Sequence, residues 1–262
     1  MNRKKYVVVT GASSGIGYET AKAFAVRGKN VIITARRKER LEALKAEILA
    51  ENPGVEVVVC EADLSTSEGA VALYESLRGY DIEVWVNNAD RGNKGDVTEP
   101  ELDQTIPMLN TNVNAVAILS ALYVQDYKDV PGAQLINVAS SAGYVLFPGC
   151  AMYAATKFFV SSLTEAIDLE MQMKHYPLRA KVLAPGATQT EFEQVANDLD
   201  QPVNYNEKFP MFHTAAQMAG FLLELYDGDK TVGEIDFATF GIKLSEPKHT
   251  NFGFKPMDFP GM

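Results

Sequence analysis

Tyr153 and Lys157 stand four residues apart in Met152-Tyr153-Ala154-Ala155-Thr156-Lys157, so on a helix they share one face with Cβ atoms roughly 5 to 6 Å apart. A phenol with a pKa of about 10 is a poor acid–base group near neutrality, but a neighbouring ammonium favours the phenolate and can lower that pKa by about 1 to 3 units. Such a pair could pass a proton to a carbonyl oxygen or take one from an alcohol. Taken alone, the spacing more often marks an ordinary pair on a helix surface.

A second constellation is Thr10-Gly11-Ala12-Ser13-Ser14-Gly15-Ile16-Gly17, which follows the apolar run YVVVT (6 to 10) and passes into a helical pattern. Glycine lets the backbone turn sharply and approach a pyrophosphate, and the helix N-terminus offers unpaired N–H groups to phosphate. Strand, loop and helix in that order point to a dinucleotide rather than a plain tight turn. The second strand ends in Thr34-Ala35-Arg36-Arg37, with no acid before Glu39. A carboxylate there would bind a free ribose 2′-hydroxyl and repel a 2′-phosphate, whereas guanidinium groups suit phosphate. One charge-assisted hydrogen bond of about 1.5 to 3 kcal/mol corresponds to roughly 10 to 150-fold discrimination, so Arg36 and Arg37 favour NADP(H) over NAD(H). The other reading is two solvent-facing arginines opening a helix, a place that disfavours basic residues.

The elements that must position these groups alternate. Strand-like runs occur at 6 to 10, NVIITA (30 to 35), VEVVVC (55 to 60), IEVWVN (82 to 87), AQLINVA (133 to 139) and RAKVLA (179 to 184). Helical patterns fall between them after Gly15, at 37 to 51, 67 to 78, about 107 to 126 and about 150 to 175. The runs lack polar alternation, as strands buried on both faces do, which predicts an α/β fold with a doubly wound parallel sheet in a single domain. Helical periodicity resumes around 214 to 226 before a candidate last strand, EIDFATF (234 to 240), and 241 to 262 reads as an irregular tail.

The 262 residues are 47% hydrophobic and 22% charged, which suits a large core and excludes a disordered, collagen-like or disulfide-scaffold chain. No apolar run reaches the ~18 residues that span a bilayer, and MNRKK leads straight into YVVVT, so a cytoplasmic protein is expected. Cys60 and Cys150 form no CxxC pair and are expected to be buried reduced thiols, with no metal site. A net charge of −10 argues against a nucleic-acid or anionic-membrane surface. The imbalance is uneven: residues 1 to 45 carry 11 Lys and Arg against 3 Asp and Glu. Either an anion binds there, or these are solvated helix faces such as RRKERLEALKAE.

Taken in order, TGASSGIG (10 to 17), Asp63-Leu64, Asn87-Asn88-Ala89, Asn112, Ser140, Tyr153-x-x-x-Lys157 and Pro185-Gly186-x-x-x-Thr190 resemble the short-chain dehydrogenase/reductase family from about residue 5 to 192. The resemblance implies one Rossmann-type domain with six or seven strands, assembled as a homodimer or homotetramer. It implies that Tyr153 is the general acid or base, that Ser140 holds the substrate oxygen, and that Lys157 binds the nicotinamide ribose while tuning Tyr153. Asn112 would support a proton-relay water, although Asn110 and Asn114 flank it. Gly11, Ser13, Ser14, Gly15, Ile16 and Gly17 would cradle the cofactor phosphates, and Asp63 and Leu64 its adenine. Asn88 would lie along the cofactor, and Pro185, Gly186, Thr188 and Thr190 would flank the nicotinamide end. Asp63 alone could also be a helix cap, since Asp-Leu-Ser precedes a helix.

One residue departs from the family pattern, which has glycine after Asn-Asn-Ala where this chain has Asp90. A carboxylate there would repel phosphate and a Cβ would crowd the ribose, unless the side chain turns to solvent or pairs with Arg91 or Lys94. The implied function is an NADPH-dependent oxidoreductase acting on a small-molecule carbonyl or secondary alcohol. The alternatives are a dinucleotide-binding regulator or scaffold of the same fold, with Asp90 as its hint, and an epimerase or dehydratase. Substrate choice is expected to lie in 190 to 212 and in the loop Ser141 to Met152. Tyr144, Val145, Leu146, Phe147, Phe192, Val195, Leu199 and Tyr205 suit an apolar ketone or aldehyde there, or belong to the core.

Overall fold

Along the first strand Val7 and Val9 enter one apolar cluster while Tyr6 and Val8 enter another, so both faces of the sheet are covered. This is why the strand runs show no polar alternation. The computed structural model describes residues 4–92, 97–99, 101–197, 199–201 and 203–251. The chain begins β1 (Lys5–Thr10), α1 (Gly15–Val26), β2 (Asn30–Ala35), α2 (Lys38–Glu51), β3 (Val57–Glu61), α3 (Ser67–Ser76) and β4 (Asp81–Asn87). It continues through α4 (Leu102–Leu109), a π-helical turn (Asn110–Ala115), α5 (Val116–Tyr127), β5 (Gln134–Val138), α6 (Ala151–Met173) and β6 (Arg179–Ala184). The last part contains β7 (Thr188–Gln189), α7 (Phe192–Ala196), α8 (Tyr205–Lys208), β8 (His213–Thr214), α9 (Ala215–Asp227), β9 (Val232–Asp236) and β10 (Gly241–Ser245).

The main sheet has eight strands in the order β10-β9-β6-β5-β4-β1-β2-β3, and β7 pairs with β8 apart from it. The chain winds outward from β1 to β3 and then returns to β4, which makes the crevice beyond the ends of β1 and β4 a topological switch point. Helices α1, α2 and α9 cover one face through Phe24, Leu44 and Leu222. Helices α3, α5 and α6 cover the other through Leu73, Tyr123 and Met171, around the fully buried Trp85.

Several expectations change. The sheet exceeds six or seven strands because the supposed tail begins with β10, antiparallel to β9. The run 234 to 240 is not one strand: Asp236 accepts from the Ala238 N–H and the Thr239 hydroxyl, closing a turn in which Phe240 has φ 58°. The remainder of the expected tail, 252–262, lies outside the described residues. The helix expected from about 107 starts at Leu102, with Pro107 inside it. Leu102–Tyr127 forms one helix of 26 residues, long and apolar enough by length and composition to cross a bilayer, contrary to the reading of the sequence. Its Leu119, Ser120 and Tyr123 are fully buried, as in a core helix under a sheet. Neither Cys60 nor Cys150 is in a disulfide, and each is half-buried rather than buried.

After β10 the chain crosses α6 and docks on a buried carboxylate. Glu165 accepts from the backbone N–H groups of Lys248 (2.7 Å) and His249 (2.8 Å) and from the Tyr144 hydroxyl (2.6 Å). The His249 ring completes the contact, with Nε2 2.9 Å from the Ser161 hydroxyl.

Candidate active site

The floor of the crevice is set by Thr10, whose hydroxyl accepts from the backbone N–H groups of Asn88 and Ala89, each at 2.9 Å. Asn88 Nδ2 donates in return to the Thr10 carbonyl at 2.9 Å. The glycine loop is pressed onto this seam. A Cβ at Gly11 (φ 69°) would sit 2.8 Å from Ala89 Cα, and one at Gly17 would sit 2.4 Å from Asn88 Nδ2. These glycines therefore serve the β1–β4 junction itself, beyond the approach to phosphate expected of them. Ser14 is the N-cap of α1, but its side chain accepts no hydrogen bond from the helix, so the first-turn N–H groups, from Gly15 and Ile16 onward, are left as donors for an anion. That donor set fits the pyrophosphate of a dinucleotide. A Cβ at Gly15 (φ 59°) would sit 3.0 Å from the Thr190 methyl.

Arg37 folds over the loop: Nε and Nη2 donate to Ser13 Oγ at 3.2 and 3.0 Å, and Nη2 donates to Ser14 Oγ at 2.9 Å. Its Nη1 pairs with Glu191 at 2.9 Å, and Arg40 pairs with the same carboxylate. The β2 end is free of acids along the chain, but the fold delivers one from the segment after β6. These guanidinium groups hold the Glu191 carboxyl below its ordinary range against the opposing effect of burial. Arg36 is exposed and lies near enough to Asp63 to help lower its carboxyl, after the stronger effect of the Ser65 N–H. Asp63 does not cap α3, since Thr66 does so by accepting from Gly69 N–H; Asp63 binds the Ser65 N–H at 3.0 Å instead. Leu64 beside it is buried.

At the far end of the crevice, β5 leads to Ser140, whose Oγ accepts from Ala142 N–H at 3.2 Å, and Ser141 N–H binds the Pro185 carbonyl at 2.8 Å. Thr188 closes on the Gly186 carbonyl at 3.0 Å. On α6, the buried Lys157 ammonium donates to the Val138 carbonyl at 3.2 Å and lies 5.6 Å from the centre of the Tyr153 ring. The Asp90 carboxylate stands between the two. Its Oδ2 is 3.0 Å from Lys157 Nζ and accepts from the Tyr153 hydroxyl at 3.1 Å. Asp90 is thus an exposed residue whose carboxylate nevertheless turns inward to Lys157 and Tyr153 and not to Arg91, which reaches Gln104; Lys94 lies outside the described residues. The phenol is pushed well above its ordinary pKa, first by burial and then by Asp90, while Ser140 pulls it the other way. The direction is opposite to the lowering that the Tyr153–Lys157 spacing suggests: burial raises the phenol most, and the Asp90 carboxylate against the ammonium adds to it.

Asn112 is the one of three neighbouring asparagines that faces inward, since Asn110 and Asn114 bond each other on the outside. Its amide accepts from the Arg91 N–H (3.0 Å) and donates to the Arg91 carbonyl (2.9 Å) and to Thr156 (3.2 Å), so it holds the turn that carries Asp90. Val145, Leu146, Phe147 and Met152 are exposed in the stretch after Ser140, and Val195 and Leu199 in the segment after Thr190, while Tyr205 is core and Tyr144 turns to Glu165. Phe192 tilts against Tyr153, ring centres 5.4 Å apart. Among the described residues no group of three His, Cys, Asp or Glu side chains could hold a metal.

A profile of the short chain dehydrogenases matches residues 5–201, three quarters of the chain. The chain belongs to the short-chain dehydrogenase family. An uncharacterised oxidoreductase of Staphylococcus saprophyticus is 30% identical over 211 residues, covering 79% of this chain and 83% of that protein. Human dehydrogenase/reductase SDR family member 11 is 28% identical over 204 residues, covering 76% of this chain and 78% of its own. Among solved structures, a short-chain dehydrogenase from Sphingobium yanoikuyae in complex with NADPH superposes with a TM-score of 0.80 at 28% identity, over 89% of this chain and 88% of that one. As a short-chain dehydrogenase the chain is an oxidoreductase with a nicotinamide dinucleotide fold.

Two contacts escape a reading along the chain. Glu191 on Arg37 and Arg40 joins residues about 150 apart with no local motif to flag it. The glycine-to-aspartate departure flagged position 90, but its side-chain direction depends on the Asn112 clasp.

Proposed function

We propose that this short-chain dehydrogenase is an NADPH-dependent carbonyl reductase, reversible as an alcohol dehydrogenase, acting on an apolar ketone or aldehyde in the cytosol as a homodimer or homotetramer. The observation that carries the reading is the convergence of Ser140, Tyr153 and Lys157 at one end of a crevice whose other end holds the glycine loop and Arg37. The Sphingobium neighbour with NADPH and the exposed apolar side chains of these two stretches, after Ser140 and after Thr190, support the cofactor and substrate classes.

A bound nicotinamide supplies or takes up the hydride at the carbonyl carbon. Tyr153 gives the carbonyl oxygen its proton, or takes one from the alcohol, and Ser140 holds that oxygen. Lys157 binds the nicotinamide ribose hydroxyls. Asn112 commits its amide to Arg91 and Thr156, so any relay water is left to its backbone carbonyl in the π-helical turn. Arg36 and Arg37 receive the 2′-phosphate, Asp63 and Leu64 the adenine, and Asn88 the length of the cofactor. Pro185, Gly186, Thr188 and Thr190 flank its nicotinamide end, and 190 to 212 with 141 to 152 choose the substrate.

The test is oxidation of NADPH and of NADH by dialysed protein across a carbonyl panel of graded apolar bulk. Turnover of bulky apolar carbonyls with NADPH supports the reading. A second reading, a dinucleotide-binding regulator with weak turnover, draws on Asp90 occupying both Tyr153 and Lys157; tight NADPH binding with no turnover across the panel would favour it.

A further inference from the structure

Asp90 is held where it is by the backbone on either side of it. Thr10 binds the N–H groups of Asn88 and Ala89, and Asn112 binds both the N–H and the carbonyl of Arg91. From that fixed turn one carboxylate oxygen reaches both the Tyr153 hydroxyl and the Lys157 ammonium. The contact has two effects on the phenol. The Lys157 charge that would stabilise a phenolate is neutralised at 3.0 Å, and loss of the phenolic proton would place a second anion beside the first.

We infer that Asp90 is a positioning residue that keeps the proton on Tyr153 and thereby biases the site toward carbonyl reduction over alcohol oxidation. The inference rests on the carbonyl-reductase reading. Reduction adds a hydride from the reduced nicotinamide to the carbonyl carbon and the Tyr153 proton to its oxygen, leaving an oxidised nicotinamide and a phenolate that solvent reprotonates. Oxidation runs these transfers backward and needs the phenolate first. The groups facing the phenol are Asp90 from the loop after β4, Lys157 and Cys150 from α6 and its start, and Ser140 from the end of β5; Phe192 adds an apolar wall. Of the two acids, Asp90 acts more strongly than Cys150, and it also withdraws Lys157 from the phenol.

The test begins without cofactor. Ultraviolet pH titration of wild type, Asp90→Asn and Asp90→Gly, each minus its Tyr153→Phe counterpart, isolates Tyr153 among 11 tyrosines. Asp90→Asn keeps the side-chain volume, and Asp90→Gly restores the family's residue, so both are expected to fold. In both, the Tyr153 phenolate is expected at a pH about 1 to 2 units below that of wild type. With cofactor and an accepted substrate, the alkaline rise of alcohol oxidation moves down by the same interval, and the ratio of kcat for oxidation to kcat for reduction, each at saturating substrate and cofactor at pH 8, increases about 10-fold or more. Equal titration curves for wild type and both variants, or a higher phenolate pH in the variants, overturn the inference. An unchanged oxidation-to-reduction ratio overturns the directional part. If no carbonyl is turned over by any form, the functional reading fails, and with it the directional part, while the titration still decides whether Asp90 holds the proton.

Discussion

Glu191 Oε2 lies 2.9 Å from Arg37 Nη1, so the segment after β6 is tied by charge to the start of α2, whose Arg37 also covers Ser13 and Ser14 of the loop that opens α1. Both partners are about two-fifths exposed, which limits the pair to roughly 1 kcal/mol or less. Arg37 therefore remains available to a 2′-phosphate at small cost.

Calorimetry of NADPH and NADH binding checks this. Replacing Arg36 and Arg37 together with Ala is expected to narrow the preference for NADPH by about 10 to 150-fold. Glu191→Gln releases Arg37 and is expected to tighten NADPH by up to about 5-fold with little change in NADH. An unchanged preference in the double variant would remove the arginines from the explanation.

Tyr153→Phe keeps the ring against Phe192 and removes only the transferable proton. NADPH binding is expected to survive while kcat falls by at least about 100-fold. Lys157→Ala is expected to impair both, because it deletes the proposed ribose donor and takes the ammonium from the Asp90 carboxylate. Wild-type turnover by Tyr153→Phe on an accepted substrate would refute the assignment.

Alkaline stability has a defined sign. Burial is the leading cause that raises the phenols of Tyr74, Tyr123 and Tyr144, so the folded chain holds their protons at a pH where the unfolded chain has lost them. Their contribution is fully present below about pH 10 and is lost as pH rises above it. The denaturation midpoint is expected to hold from pH 8 to 10 and to fall steeply beyond, with Tyr123→Phe flattening the fall.

Asp168 is fully buried on α6 and accepts from Arg179 Nε (2.9 Å), Ala180 N–H (3.0 Å), Thr231 (2.6 Å) and Gln172 (2.6 Å). It ties α6 to β6 and to the turn before β9. Asp168→Ala leaves Arg179 without its partner and is expected to lower unfolding free energy by about 3 to 5 kcal/mol in urea titrations. Asp168→Asn is expected to cost less, since it keeps part of the hydrogen bonding.

The parts of this molecule legible along the chain are those governed by local rules. Val7, Val9, Val31 and Ile33 announce buried parallel strands, and the order of strand, glycine loop and helix announces the phosphate crevice. Asp236 was not legible, because a side chain bonding its own following backbone interrupts an apolar run without changing its hydrophobicity. Asn112 could not be told from Asn110 and Asn114 until the helix register faced one of them inward. The shift of Tyr153 is upward rather than downward because burial of the phenol, and after it a third residue, Asp90, enter a relationship that spacing had described with two.

The docking of Lys248 and His249 on Glu165 ties the segment after β10 to the stretch after Ser140. Glu165 also holds Tyr144, and Tyr144 opens the stretch whose Val145, Leu146 and Phe147 are exposed. If the stretch after Tyr144 chooses the substrate, as proposed, insertions or fusions between Ser245 and Lys248 would act as remote edits of that choice, while the groups in the crevice stayed the same.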